Sequence, residues 1–293
     1  MSTDTTVQTT SEENNGFFRR IIDAIGVDNL TLIFAIVALL FLIMVVSGWF
    51  GYSGGDKFLS WQNLMNSLAT AIVIVGLLAI GETVVIIAGA LDISVGSIAS
   101  IGSVVAASFL VGAGTFGALS FLPTGNVLFA VLMGMLAGVL CGVINGFIVT
   151  VLKVNPIIAT LGTLAAFGGI AFLIAPEGKP VGVMTQPQFT WLAQGRFLTD
   201  LPIPQLGNTD WPGFPVLTVI LLVVVLVAHF LMTYTDFGRA IYAIGGNDVA
   251  ARLAGINLSR VRMLMYMFCG SVAGLAGVLL TARTCLLYTS DAA

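Results

Sequence analysis

The chain has very little charge and few residues that could bind a metal ion. Of its 293 residues only 9% are Asp, Glu, Lys or Arg, against about 25% in soluble domains. It has one histidine and three cysteines, with no cysteine pair spaced to hold zinc and no basic stripe that could bind nucleic acid. The sequence therefore predicts no metal site, no disulfide framework and no nucleic-acid partner.

Motifs for nucleotide binding and catalysis are also missing. The run GAGTFG at residues 112–117 has the spacing GxGxxG, but no strand precedes it and it lies in a predicted loop, so it does not indicate dinucleotide binding. The GxxxxGK[ST] spacing of a phosphate-binding loop does not occur. The chain has no visible means of hydrolysing ATP, and we expect neither a catalytic residue nor a resident cofactor.

Long apolar runs take the place of charge. The chain is 58% hydrophobic with a mean hydropathy of +1.05, and a membrane span needs about 20 apolar residues. The run Leu64–Val111 would form about 72 Å of helix, so it must fold back, and Gly89–Asp92 is the best place for the break. We predict an all-α, polytopic helical membrane protein with about seven transmembrane helices. They lie near residues 30–50, 66–88, 93–111, 127–152, 157–175, 214–232 and 263–282.

Polar segments and positive charge divide and orient the chain. Residues 1–28 are predicted to be a polar, disordered cytoplasmic tail and residues 29–284 a transmembrane domain. Within that domain, residues 176–213 form an external loop and residues 233–262 a cytoplasmic segment. The cytoplasmic segment is placed inside, with the N-terminus, because it holds the densest basic cluster of the chain. The cluster consists of Arg239, Arg252, Arg260 and Arg262.

Asp92 is an unusual charge because it lies, with Glu82, inside the apolar run Leu64–Val111. A carboxylate in hydrocarbon costs on the order of 2.5–3.5 kcal/mol by insertion scales. Two interpretations stay open. Asp92 caps the helix that follows the turn, or the turn lies deeper and lines a central pathway. For Glu82 the alternatives are that it reaches the membrane interface, pairs with another helix or faces a transport path. The lone His229 is interpreted as an interfacial side chain, with a ligand or proton relay as the alternative.

Glycine forms a strip on two of the predicted spans. Glycines at intervals of four make one smooth face on the span 127–152, and a similar face lies on the span 263–282. Such faces let helices approach closely, so we predict helix packing, with a sliding surface in a moving transporter as the alternative. The residues are Gly134, Gly138, Gly142, Gly146, Gly270, Gly274 and Gly277.

A short helix is predicted inside the cytoplasmic segment. Asn247 is a good N-cap, Asp248 favours the positive helix end, and Gly255 is a stop signal. A helix of about two turns is marginal alone, so it needs a docking surface on this protein or on a partner. The residues assigned to this role are Asn247, Asp248, Ala250, Arg252, Leu253 and Gly255.

Three separated stretches together resemble a known family. GALDISVGS (89–97), GVINGFIVTVLKVNPIIATLGT (142–163) and FGRAIYAIGGNDVAARLAGI (237–256) are similar to permease subunits of bacterial ABC importers for monosaccharides such as ribose, xylose, arabinose and galactosides. The resemblance implies a permease in the bacterial inner membrane that pairs with a second permease copy. It also implies an ABC ATPase subunit, which binds the ATP and receives the short helix, and an external substrate-binding protein.

The resemblance implies a translocation path for a neutral, polar solute, which needs hydrogen-bonding groups more than charge. Two alternatives stay open: a permease of the same superfamily for nucleosides, amino acids or a signalling molecule, and an ion-coupled secondary transporter. The path candidates are Asp92, Ser94, Ser97, Asn145, Asn155, Thr160 and Thr163.

The end of the chain, CLLYTSDAA at residues 285–293, departs from the family pattern. The resemblance implies a further external loop and roughly three more spans of about 20 residues, about ten spans in all. We predict that residues 285–293 are a non-native translation of a sequencing adapter, that a longer permease is cut there, and that such a chain expresses poorly and transports nothing. Sequencing the source DNA beyond codon 284 tests this, and a genuine stop codon after Ala293 in an independent clone would contradict it.

Overall fold

The computed structural model divides into two compact units, residues 1–64 with 204–210 and residues 65–203 with 211–293. The predicted polar tail, about half of the predicted span 30–50 and the terminal stretch 285–293 lie outside the described residues. In the first unit, Ser60 caps a helical turn, Trp61–Asn63, and Trp61 Nε1 donates to the Pro204 carbonyl at 2.8 Å. The described residues are 60–111, 125–175, 187–206, 210–284 and separate positions between 32 and 45.

The second unit is built mainly of helices, and its described strands are two short segments. In chain order the elements are α1 (Ala69–Ile87), α2 (Val95–Val111), α3 (Val127–Thr150), α4 (Pro156–Ile174), α5 (Pro187–Gln194), β1 (Arg196–Phe197), β2 (Phe214–Pro215), α6 (Val216–Tyr234), α7 (Asp236–Gly246), α8 (Asp248–Leu253) and α9 (Leu258–Thr284).

Five helices among the described residues are long and apolar enough to cross a membrane. They are α3, α4, α6, α9 and the run Trp61–Ile87 that contains α1, while α2 is apolar but shorter. This confirms the prediction of an all-α, polytopic membrane protein. α9 begins at Leu258, where Asn257 Oδ1 accepts a hydrogen bond from Arg260 N–H at 3.0 Å and so caps the helix.

The outward faces of the spanning helices are apolar. Leu128 on α3, Leu173 on α4 and Phe230 on α6 are each more than half exposed. Exposed apolar surface of this extent is unfavourable in water and suits the hydrocarbon of a bilayer. The exterior of the bundle therefore agrees with a multi-pass membrane protein.

α9 is the central helix of the larger unit and packs against α1, α2 and α3. Its contact with α3 is made by backbone, because a Cβ placed on Gly138 would collide with the Gly270 carbonyl, and one on Gly142 with the Tyr266 carbonyl. On the side facing α2, a Cβ on Gly102 would lie 2.7 Å from the Gly274 carbonyl oxygen. The glycine strips therefore lie at the closest helix contacts in the bundle core.

The predicted external loop 176–213 contains regular structure where it is described. α5 buries Phe189 against the core of the unit, and β1 pairs with β2 in antiparallel register, Arg196 opposite Pro215. Trp211 is buried and its Nε1 donates to the Leu198 carbonyl at 2.9 Å. This segment therefore packs onto the ends of the helices and is more than a simple connection.

Candidate functional site

The turn between α1 and α2 brings two carboxylates together. α1 ends in a Schellman motif, in which Gly89 has a φ of +74° and Ala90 N–H donates to the Val85 carbonyl at 3.1 Å. Glycine adopts this φ at little cost, which explains the predicted break at this point. After the turn, the backbone N–H of Asp92 donates to Glu82 Oε1 on α1 at 3.0 Å.

The Asp92 carboxylate is buried and ties this turn to α3. Its Oδ1 accepts hydrogen bonds from the Ser94 N–H at 2.9 Å and from the Ser94 hydroxyl at 2.6 Å. Asn145 on α3 donates from Nδ2 to both carboxylate oxygens, at 3.3 and 3.2 Å. The Ser94 carbonyl accepts the first helical hydrogen bond of α2, from Ile98 N–H. Ser94 is therefore the cap position, and Asp92 holds the turn that precedes it.

The surroundings of the two carboxylates contain polar atoms that have no partner within the described part of the chain. These atoms are Glu82 Oε2, Asn145 Oδ1 and Tyr266 OH, and all three are buried. Tyr266 on α9 belongs to the same buried cluster as Val85 of α1 and Ala90 of the turn. A buried polar atom without a partner costs about 1–3 kcal/mol. The group of Glu82, Asp92, Ser94, Asn145 and Tyr266, here called the polar cluster, therefore has hydrogen-bonding capacity in reserve.

The remaining path candidates form hydrogen bonds within their own segments. The Ser97 hydroxyl donates to the Ser94 carbonyl at 2.8 Å, the Thr160 hydroxyl to the Pro156 carbonyl at 2.8 Å, and the Thr163 hydroxyl to the Thr160 carbonyl at 3.2 Å. Asn155 caps α4 by accepting from Ile157 N–H at 2.9 Å. The structure thus brings Asp92, Ser94 and Asn145 together and leaves the other candidates in local roles.

The chemistry of the polar cluster is hydrogen bonding. Among the described residues, no group of three His, Cys, Asp or Glu side chains could hold a metal ion. Asp92 is 2% exposed and Asn145 is fully buried, so neither side chain faces an open channel in this conformation. The cluster is suited to fixing three helices in one arrangement or, after a conformational change, to contacting a hydroxylated solute.

Replacing Asp92 tests what the cluster does. We expect Asp92→Ala to lower the free energy of unfolding by about 3 kcal/mol, because it leaves the Ser94 N–H and hydroxyl without their acceptor. The Asn145 amide would retain only its hydrogen bond to the Ser94 hydroxyl, at 2.8 Å. Asp92→Asn retains one acceptor oxygen and should cost about 1 kcal/mol. Thermal unfolding of the purified protein in detergent measures both values. Ser100→Ala, which removes an exposed hydroxyl of α2, is the control and should stay within about 0.5 kcal/mol.

Equal stability of the Ala and Asn variants would contradict this account of the cluster. Solute uptake at normal yield, with Asp92→Asn introduced into the source cell's own permease gene, then separates the two interpretations of Asp92. Unchanged solute specificity fits a residue that holds the turn, and altered specificity fits a residue that lines the path.

The segment between α6 and α9 forms two helices, α7 and α8. Asn247 ends α7 and caps α8, accepting a hydrogen bond from Ala250 N–H at 3.0 Å. α8 ends in a second Schellman motif, in which Gly255 has a φ of +84° and Ile256 N–H donates to the Ala251 carbonyl at 3.1 Å. Local hydrogen bonds therefore fix both ends of this short helix.

α8 has one buried face and one exposed apolar face. Ala251 is 4% exposed and packs with Ile244 of α7 and Leu258 of α9. On the other side, Val249 is 64% and Leu253 85% exposed. α7 and the start of α9 therefore hold α8 in place through its buried face. Among the described residues, nothing covers Val249 and Leu253 on its exposed face.

Two features of these sites were not predicted from the sequence. No helix is predicted over α7 within the segment 233–262, although Thr235 caps it and Gly238, Ile241 and Ile244 form a buried stripe at helical spacing. That stripe was the available signal. Tyr266 was not a candidate because it lies in a long apolar run, and no local pattern distinguishes it from the other core residues of α9.

Comparison with known proteins assigns the chain to a family. Residues 64–290 match the family described as "Branched-chain amino acid transport system / permease component". The chain is 37% identical to the ribose import permease protein RbsC of Bacillus subtilis (strain 168) over 228 residues, which are 78% of this chain and 62% of the relative. It is 32% identical to RbsC of Escherichia coli (strain K12) over 252 residues, covering 85% of this chain and 68% of the relative.

A third relative is the L-arabinose transport system permease protein AraH of Escherichia coli (strain K12), 34% identical over 219 residues, 75% of this chain and 58% of the relative. The chain thus spans less than two thirds of the length of the Bacillus relative and of AraH. No solved structure matches the chain significantly. The apolar helix bundle, the family match and these relatives agree with one another. The chain belongs to the family of permease components of transport systems described above, whose members are transport proteins and not enzymes.

Proposed function

We propose that this protein forms the membrane path of an ATP-driven importer for a monosaccharide. The three relatives reported above name ribose and L-arabinose, and these names support a sugar over the amino acids of the family description. A sugar is neutral and polar, so hydrogen-bonding groups on the path would recognise it. Ser94, Asn145 and Asn155 are the proposed contacts, together with the hydroxyls of Ser97, Thr160 and Thr163.

The observation that carries this proposal is the form of α8. It is a capped helix of six residues that packs on α7 and α9 through Ala251. Its other face shows Val249 and Leu253 to its surroundings, and exposed apolar side chains beside each other favour a docking partner. We propose that α8 docks onto an ABC ATPase subunit, which binds the ATP. Asn247, Asp248, Ala250, Arg252, Leu253 and Gly255 are the proposed docking residues.

The distribution of positive charge supports one orientation of the chain in the membrane. Arg239, Arg252, Arg260 and Arg262 all lie in or next to the segment that carries α8, and positive charge favours the cytoplasmic side. We propose a bacterial inner-membrane protein with the N-terminus and α8 in the cytoplasm. A substrate-binding protein would deliver the sugar outside, and a second permease copy would complete the path.

In the proposed mechanism, ATP closes the ATPase subunits and moves α8. A Cβ on Gly245 at the end of α7 would collide with the Ile87 carbonyl, so α7 lies directly against the end of α1. A displacement of α8 would therefore reach α1 and the turn that holds Asp92. Movement of the permease halves would then alternate access to the path.

Uptake in the cell that carries the gene tests the function. We expect deletion of this gene, or of the ATPase gene that accompanies it, to abolish uptake of one labelled pentose or hexose, with leucine and uridine uptake unchanged. Dissipating the membrane potential while ATP is maintained should leave the sugar uptake intact. Uptake that survives loss of the ATPase and stops with the potential would instead favour an ion-coupled secondary transporter.

A further inference from the structure

A basic cavity lies where α3 ends and where α4 and α9 begin. Its volume is about 430 Å³, and Lys153, Arg252 and Arg262 are among its lining residues. The three cations come from different segments: the turn after α3, α8 and the first turns of α9. No carboxylate belongs to the described lining. Arg262 has an acidic partner in Asp248, whose Oδ2 lies 3.8 Å from its guanidinium group and whose side chain is half exposed.

Two helix N-termini add to the positive potential of this cavity. Asn155 and Pro156 at the start of α4 line it, as do Leu258 and Ser259 at the start of α9. α4 has 19 residues and α9 has 27, so each carries a full helix dipole, equivalent to roughly half a positive charge at its N-terminus. Cations and helix N-termini that converge on one space favour a phosphate group.

An apolar groove continues directly from the basic cavity. The two spaces share Gly89, Ala90, Asn155 and Pro156, and the groove has a volume of about 370 Å³. Its further lining is Ile86, Leu91 and Ile157, which are 53%, 40% and 43% exposed. A soluble phosphate would leave this groove empty, whereas a phospholipid has both a phosphate and a chain to fill the two parts.

The position of this crevice in the bundle also suits a lipid. It lies at the ends of α1 and α3 and at the start of α4 and α9, all of which belong to candidate membrane spans. The ends of spanning helices lie at the depth of the lipid headgroups. Basic pockets between transmembrane helices at this level recognise anionic headgroups.

We propose that this crevice binds one anionic phospholipid, with its phosphate between Lys153, Arg252 and Arg262 and the start of an acyl chain along Ile86, Leu91 and Ile157. The bound lipid bridges α8 and α9 to the turn after α3. The inference depends on the multi-pass character of the chain and not on the solute that it carries.

Native mass spectrometry of the full chain in detergent, with phosphatidylglycerol and phosphatidylcholine as probes, tests the proposal. We expect preferential retention of one phosphatidylglycerol and loss of this preference in the double variant Lys153→Asn, Arg262→Gln. A basic residue near a membrane surface changes affinity about fivefold, so the pair should change it about 30-fold. Lys153 has a φ of +56°, which asparagine tolerates, so the variant should fold.

Arg260→Gln is the matched control, because Arg260 lies on α9 beside Arg262 but does not line the cavity. It should retain the lipid as the wild type does, and so should the charge-preserving pair Lys153→Arg, Arg262→Lys. Equal retention of the two lipids by the wild type would overturn the proposal. So would a double variant that holds phosphatidylglycerol normally, or binding of inorganic phosphate to a protein that shows no preference for phosphatidylglycerol.

Discussion

Replacing Gly138 with alanine is expected to prevent the protein from accumulating in the membrane. The added Cβ would collide with the carbonyl of Gly270, a backbone atom of the central helix that cannot move aside as a flexible side chain can. Overpacking of a core lowers the free energy of unfolding by up to about 3 kcal/mol. Here the added Cβ would also force the backbones of α3 and α9 apart. The yield of folded protein in a membrane extract and its unfolding temperature in detergent measure the effect.

Gly169→Ala is the matched control for this substitution. Gly169 lies in the interior of α4, and a Cβ placed there meets nothing within 4 Å. Because glycine is a poor helix former, alanine should stabilise this helix by about 0.5–1 kcal/mol. A Gly138→Ala protein that reaches the same yield and unfolding temperature as the control would show that the close α3–α9 contact is wrong.

In the source cell's own permease gene, Ala250→Arg is expected to abolish solute uptake while the protein stays folded in the membrane. Ala250 is exposed on α8, so arginine should fit the isolated chain and clash only with a closely fitting ATPase subunit. Gly255→Val should act differently, because a β-branched residue at a φ of +84° strains the turn by about 1–2 kcal/mol and misplaces α8. Uptake in cells and stimulation of the ATPase subunit in detergent are the measurements.

The control for the coupling prediction is Ala243→Arg, which makes the same change at an exposed position of α7. It should leave both uptake and ATPase stimulation unchanged. Normal stimulation by the Ala250→Arg protein would contradict the docking role of α8. Loss of folded protein in Ala250→Arg would also contradict it, since the exposed position predicts no effect on the fold.

Local chemistry allowed much of the fold to be predicted. An apolar run longer than one span forced a turn near Gly89, and the observed φ of +74° shows the reason in the backbone. Asn247 and Gly255 bounded α8 in the sequence and do so in the structure. These features depend on residues close together in the chain, so composition and spacing are sufficient to find them.

The polar cluster could not be predicted in the same way. Asp92 and Asn145 belong to different helices, and their contact depends on the depth at which α3 crosses the turn between α1 and α2. That depth is set by the glycine contacts of α3 with α9, and these contacts join residues that are far apart in the sequence. The sequence identified Asp92 as a buried charge that needs partners, but not the amide and hydroxyl that serve it.

The glycine contact of α3 with α9 also limits how this protein can move. Helices that meet through long side chains can exchange one set of rotamers for another and so settle in two positions. Around Gly138 and Gly270 the surfaces are peptide groups, with no rotamers to exchange, and a shift along the axis would drive a Cβ or a carbonyl into its neighbour. α3 and α9 must therefore move together as one rigid pair. Under the proposed function, access to the membrane path would change through a movement of this pair relative to the helices that pack against it.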